Sequence, residues 1–314
     1  MPALPDPLTG LSVFERGWLS CNNLLIHAAP GEAGDVLVDS SHLNHAPQTL
    51  ALVAQALAAR PGARLDRVLN THLHSDHCGG NAALQAAFGV PVSVPPGLAE
   101  AVRVWDADAL GYEATGQRMT RFTPQALVRP GETLVAGGRE WQVLAAPGHD
   151  PHSVMFFDRA HGVLVSADAL WEQGFGVVFP EIEGEPGFDD VAAVLDSIAA
   201  LPVRVVVPGH GRPFDDVAGA LARARSRIDS FRADPARHAR HAVKVLLKYH
   251  LMEEREQNLD ALVAWAVGTP LLRGVWERFP APGAADPTAW ILGVVADLVN
   301  GGALARDGDL IRDA

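Results

Sequence analysis

The chain has 314 residues, 48% of them hydrophobic and 20% charged, enough for one large core plus a smaller second unit and unlike a disordered chain. Lys+Arg 25 against Asp+Glu 37 leaves a net charge of −12, which argues against a general nucleic-acid binder. Cys21 and Cys78 provide no disulfide framework, no apolar run reaches membrane-spanning length, and Met1–Pro7 lacks the basic and apolar regions of a signal peptide, so the cytoplasm is the expected setting.

In chain order, Leu24–His27 and Val36–Asp39 read as short strands around the turn Pro30–Gly34. Asp39 closes its strand either as a helix cap or as an anchor for a metal-bound histidine. Thr49–Ala59 reads as a helix ended by Pro61-Gly62, and Leu65–Asn70 as the next buried strand, which makes a crossover unit. The run Thr71-His72-Leu73-His74-Ser75-Asp76-His77-Cys78-Gly79-Gly80 follows. If the chain stays extended there, alternation points His72 and His74 to one side, able to reach one ion. Imidazole with carboxylate suits zinc, iron or manganese. Asp76 and His77 fall where Asn81–Phe88 begins a helix, and Cys78 reads as a buried small hydrophobe.

Pro91–Val94 is a further short strand, and Leu98–Thr123 is polar and mixed, readable only as helix. A strand meander is expected through Glu132–Val135, Trp141–Leu144, Ser153–Phe157 and Val163–Ser166, then a helix over Asp189–Ala200 and a strand over Val203–Val207. Three of these strands end in ligand types: Pro147-Gly148-His149, Ala167-Asp168 and Pro208-Gly209-His210. Functional groups of α/β folds gather at such edges. After Asp168, Ala169–Pro180 carries two Phe, a Trp and two Val. It is either a plug between two domains or an apolar wall for substrate.

His72-x-His74-x-Asp76-His77, then His149, Asp168 and His210, resembles the metallo-β-lactamase-fold hydrolases over about residues 12–215. The resemblance implies an αββα four-layer sandwich and two divalent cations, zinc first, with iron or manganese as alternatives. It implies His72, His74 and His149 around one ion, Asp76, His77 and His210 around the other, and Asp168 bridging. Asp76 is then also the best general-base candidate. The best-known antibiotic-hydrolysing class carries Cys in place of Asp168, which argues against that role here. Relatives often place a second histidine four residues after the Pro-Gly-His ligand. Here Asp150-Pro151-His152 brings it one residue closer, so His152 is expected beside the ligands rather than among them.

From about Ala218 the pattern turns helical and basic, with Arg223, Arg225, Arg227, Arg232, Arg237, Arg240, Lys244 and Lys248. That is either a solvated face or a surface for an anionic ligand or partner. Val245, Leu246, Tyr249 and Met252 give an amphipathic spacing. Ala289–Asn300 reads as a helix ended by Gly301-Gly302, and Ala303–Arg306 with Leu310–Arg312 around Asp307-Gly308-Asp309 as a terminal hairpin. Helices followed by a hairpin resemble a winged-helix tail, so the expected units are 1–217, catalytic, and 218–314, helical and winged-helix-like. The expected function is hydrolysis of a small ester, thioester or lactone. Glyoxalase II is similar through Thr71-His72-x-His74-x-Asp76-His77-x-Gly79-Gly80-Asn81, although its glutathione-binding tail is not recognisable. The rivals are a phosphodiesterase or endoribonuclease, which would make nucleic acid a partner, and an iron protein such as a sulfur dioxygenase. A small-molecule substrate is favoured, no membrane partner is expected, and a homodimer is compatible with the sequence.

Overall fold

Alternation along the strands separates an inner from an outer set of apolar side chains, and those two sets build the layers. The structure, a computed structural model, describes residues 6–280 and 283–314. Its strands are β1 Leu11–Phe14, β2 Asn23–Ile26, β3 Asp35–Val38, β4 Leu65–Leu69, β5 Val92–Val94, β6 Ala126–Leu127, β7 Thr133–Ala136, β8 Arg139–Ala145, β9 Val154–Asp158, β10 Val163–Ala167, β11 Val205–Pro208, β12 Glu256–Asn258, β13 Leu304–Asp307 and β14 Leu310–Asp313. One sheet runs β1-β2-β3-β4-β5-β6, antiparallel to β3 and parallel beyond it. The second runs β11-β10-β9-β8-β7, the expected meander with β11 added parallel to β10.

Leu24, Ile26, Val36 and Val38 of the first sheet meet Val143, Phe156, Val165 and Val207 of the second in one inner core. The alternate residues Leu25, Leu37 and Val68 face outward under the helices Ala46–Ala58 and Asn81–Phe88. Phe157, Leu164 and Val206 lie under Phe188–Ala199 and Val217–Ala233. Central strands are therefore buried on both faces, which is why they read as unbroken apolar runs. The expected four-layer αββα sandwich is present.

β1 and β6 escaped the sequence reading. β1 is a half-buried edge strand, and β6 holds two residues. The polar segment Leu98–Thr123 forms two short helices, Ala99–Val104 and Tyr112–Thr115, rather than one long one.

The tail folds around its own apolar cluster, in which Leu246, Leu247 and Leu251 of Pro235–Glu254 meet Leu262, Trp290, Val294 and Ile311. Asp234 caps that helix, its side chain accepting from the Arg237 amide, with Pro235 at the first helical position, a device worth about 1 kcal/mol. The terminal hairpin forms as expected, with Gly308 at φ +60° between the paired Asp307 and Leu310, and β12 extends it into a sheet of order β12-β14-β13. Two units, 1–217 and 218–314, are a proposal. Packing favours a boundary near Asp234, because Ala220, Leu221, Ala224, Ile228 and Phe231 of Val217–Ala233 share the sandwich's outer core. Among the described residues no helix is long and apolar enough to cross a membrane.

Candidate metal centre

The groups singled out at strand ends converge on one edge of the sandwich. After β4 the chain stays extended, with His74 at φ −66° and ψ 151°, before the helical turn Ser75–Cys78 carries Asp76 and His77. His149 follows β8. Asp168 leaves β10 where the β10–β11 register shifts between Val165 and Ala167. Ala167 there takes φ +46°, a conformation costing a non-glycine residue about 1–3 kcal/mol. His210 follows β11. Gly209 before it must be glycine, because a Cβ would collide with Asp168 Oδ1 and lie 3.0 Å from His77 Cε1.

Two donor sets result. In the first, His74 Nδ1 lies 2.8 Å from His149 Nε2 and 3.1 Å from His72 Nε2. The second holds Asp76, His77, Asp168 and His210, with His210 Nε2 3.0 Å from Asp76 Oδ2. Asp168 faces both: Oδ2 is 3.3 Å from His149 Nε2 and Oδ1 is 3.3 Å from His77 Nε2.

Surrounding groups fix which nitrogen each ring presents. Asp39 accepts from the Thr71 amide and hydroxyl, both at 2.8 Å, and from His77 Nδ1 at 2.8 Å. Thr71 Oγ1 is thereby left to accept from His72 Nδ1 at 3.1 Å. His149 Nδ1 donates to the Val177 carbonyl at 2.5 Å. Asp39 is thus the histidine anchor rather than a cap, and His72, His77 and His149 all turn Nε2 inward. His152 takes no such role: its side chain is exposed and its ring lies against Gly97. Cys78 is fully buried, its thiol facing the Leu73 and His74 carbonyls, with its pKa pushed up by burial.

The donors fit a cation. Burial lowers the pKa of His74 and His149 to about 4. Burial, then the neighbouring imidazoles, holds His72 well below the usual imidazole value. Burial opposes ionisation of Asp76, yet His77 and His210 outweigh it and bring its pKa to about 2. Neutral His72, His74 and His149 beside an ionised Asp76 are the protonation states a divalent ion requires. His77, whose pKa rises despite burial because Cys21, Asp168, Asp76 and Asp39 surround it, would release a proton on binding one. His77 Nε2 is buried and makes no hydrogen bond, facing the Asp168 and Asp76 carboxylates at 3.3 and 3.7 Å, the side on which an ion would sit.

Above the donors lies a cavity of about 440 Å³. The groups around it come from several parts of the chain, and of Trp18, Phe179, Tyr249 and Asp150 only Trp18 carried no sequence signal. Trp18, 58% exposed, stacks on His210 at 5.4 Å, and Phe179 packs 5.0 Å from His74. Tyr249 Oη lies 2.7 Å from Ser75 Oγ. Asp150 Oδ2 is 3.8 Å from His74 Nε2; its place directly after Pro-Gly-His was the one available hint. The loop after Asp168 divides its work. Trp171 stands 5.3 Å from His210 and donates to Asp168 Oδ1 at 3.3 Å. Phe175, 2% exposed, packs with the outer core, whereas Val177 enters the tail's cluster. The stripe Val245, Leu246, Tyr249 and Met252 lines this cavity, while Val243, Leu247 and Leu251 of the same helix serve the tail's own core, to which Leu246 also belongs.

Known proteins resemble this chain. Hydroxyacylglutathione hydrolase of Stenotrophomonas maltophilia is 32% identical over 149 residues, 48% of this chain and 48% of that protein. The match thus spans about half of that relative's length. The namesake from Acidiphilium cryptum is 29% identical over 242 residues, 74% of this chain and 86% of its own. A beta-lactamase domain protein from Burkholderia ambifaria shares the fold, with a TM-score of 0.57 at 21% identity over 100% of this chain and 96% of that one. The family model of the metallo-beta-lactamase superfamily matches residues 16–210, a span that contains every donor named above. The chain belongs to the metallo-beta-lactamase superfamily.

Proposed function

We propose that the protein is a metal-dependent hydrolase of a small ester, thioester or lactone. His72, His74 and His149 would hold one divalent cation, Asp76, His77 and His210 a second, with Asp168 between them. The carrying observation is that the two oxygens of Asp168 face the two donor sets, each at 3.3 Å. An all-nitrogen-and-oxygen donor set favours zinc, with iron or manganese as alternatives. When bound, the cations supply the lowered water pKa and the positive charge that carbonyl hydrolysis needs.

The chain's own residues do the rest. Asp76, ionised at neutral pH, is positioned to accept a proton from the nucleophile. Trp171 N–H holds the Asp168 carboxylate. Trp171, Phe179, Leu246 and Met252 give the cavity apolar walls that exclude water and seat an acyl chain. The relatives' name, hydroxyacylglutathione hydrolase, specifies an acylated glutathione and supports an acyl substrate. Protein reconstituted with zinc should hydrolyse members of a thioester and lactone panel in preference to phosphodiesters and RNA. Turnover of RNA alone, or oxygen uptake with one iron per chain, would replace this reading.

A further inference from the structure

The basic residues of the tail are not equivalent. Arg223, Arg225, Arg232, Arg240, Lys244 and Lys248 each meet a carboxylate: Asp216, Asp196, Asp189, Asp297 (shared by Arg240 and Lys244) and Asp313. These are mutually compensated surface charges in a protein whose net charge is −12. Arg227 and Arg237 have no carboxylate within ion-pair distance among the described residues. Arg237 donates to Ser230 Oγ at 2.9 Å, and Arg227 makes no side-chain hydrogen bond among the described residues.

Their position adds a second observation. Arg227 lines the cavity over the metal donors and also an open groove of about 820 Å³. The two spaces share Gln173, Arg227 and His241, and the groove continues past Ser226 and Ser230 to Arg237. Cavity and groove thus adjoin at Arg227, the one apolar near the donors and the other cationic towards Arg237. The loop after Asp168 is shaped to this arginine. Gly174 sits at φ +133°, and a Cβ on it would come 2.6 Å from Arg227 Nη1, so a side chain there would displace the guanidinium. A half-buried guanidinium with its donors free favours a carboxylate or phosphate, whose paired oxygens match its fork.

We propose that Arg227, supported by Arg237, binds an anionic group of the substrate, so that the hydrolysed molecule is an ester or thioester joined through an apolar segment to a carboxylate or phosphate. This rests on the acyl-hydrolase reading for the reaction but not for the binding. The guanidinium of Arg227, with Arg237 and two serines further along the groove, accommodates either anion.

The test uses full-length protein and thioesters matched in length, one neutral, one ending in a carboxylate and one in a phosphate. Wild type should favour one charged member over the neutral one by about ten- to a hundredfold in kcat/KM, expressed in KM. Added salt should shrink that preference. Arg227→Met should collapse the charged-to-neutral ratio towards one. Arg227→Lys should keep part of it, and Arg237→Ala, at an exposed position, should lower it severalfold. In parallel, metal-free protein is titrated with a medium-chain carboxylate and an alkyl phosphate, read by tryptophan fluorescence. Wild type should saturate, and Arg227→Met should need about tenfold more ligand. If no thioester is turned over but this binding difference holds, the reaction reading fails and the anion site stands. Equal affinity of wild type for charged and neutral ligands, or a charge preference unchanged in the Arg227 and Arg237 variants, overturns the proposal.

Discussion

The donor cluster and the wall of the cavity above it are built on opposite plans. All seven proposed ligands come from the sandwich, on the segments that follow β4, β8, β10 and β11, and Thr71 and Asp39 at neighbouring strand ends hold them. The wall is assembled from distant parts: Trp18 near the start, Trp171 and Phe179 from one loop, Arg227 from the last sandwich helix, and Val245, Tyr249 and Met252 from the tail. The cluster is rigid because strands fix it. On the proposed reading its chemistry is general and selectivity falls to the wall, which draws on elements outside the ligand-bearing segments.

The largest effect should come from the residue that joins the two donor sets. Asp168→Asn should release at least one metal equivalent and abolish nearly all hydrolysis, read by metal analysis and turnover. Retention of both metals and activity would detach Asp168 from the cluster. Phe175 and Trp171 sharpen the contrast between core and wall. Phe175→Ala opens a cavity in the outer core and should cost about 3–5 kcal/mol of stability, visible as a large drop in melting temperature. Trp171→Ala should leave the melting temperature nearly unchanged while lowering kcat/KM for apolar substrates about ten- to a hundredfold. The reverse pattern would show that the loop's roles are exchanged.

Asp76→Glu moves the proton acceptor while keeping a carboxylate, and a small displacement should cost about a hundredfold in rate with metal retained. Full turnover would leave Asp76 as a ligand without a proton-transfer role.

The smallest expected effect is thermodynamic and lies outside the centre. His238 is 2% exposed, accepts from the Val178 amide through Nε2 at 3.3 Å, and has its pKa lowered to about 4 by burial. Between pH 4 and the unfolded histidine value of about 6.5, the unfolded chain binds a proton there that the folded chain does not. Stability should therefore fall on acidification through that window, by up to about 3 kcal/mol from this residue. A His238→Gln variant should show a flatter melting-temperature profile between pH 7 and 4. An unchanged slope would place the acid sensitivity elsewhere.

What was legible follows from the same contrast. His72, His74, Asp76 and His77 lie close together in sequence, and His149, Asp168 and His210 each follow an apolar strand and a turn residue, so local patterning exposes them. The inner-outer alternation of Leu24, Leu25 and Ile26 is equally local. Trp18 had no such marker, and Tyr249 only its place in the amphipathic stripe, because stacking on His210 or reaching Ser75 depends on how remote segments pack. Pro235–Glu254 shows the limit most clearly. One amphipathic stripe was expected, but the helix's apolar residues divide between the tail's core and the cavity, with Leu246 in both, and spacing alone cannot say which is which. His152 shows a related limit: it stays exposed with its ring against Gly97, and sequence spacing alone did not say which way that ring would turn.

The central claim is that two donor sets hold two ions with Asp168 between them, and metal stoichiometry of three proteins tests it most directly. Wild type reconstituted with zinc should bind two equivalents per chain, while His149→Ala and His210→Ala should each lose one, from different sets, with the fold intact by circular dichroism. One equivalent in the wild type, lost entirely in one variant and untouched in the other, would contradict a binuclear centre.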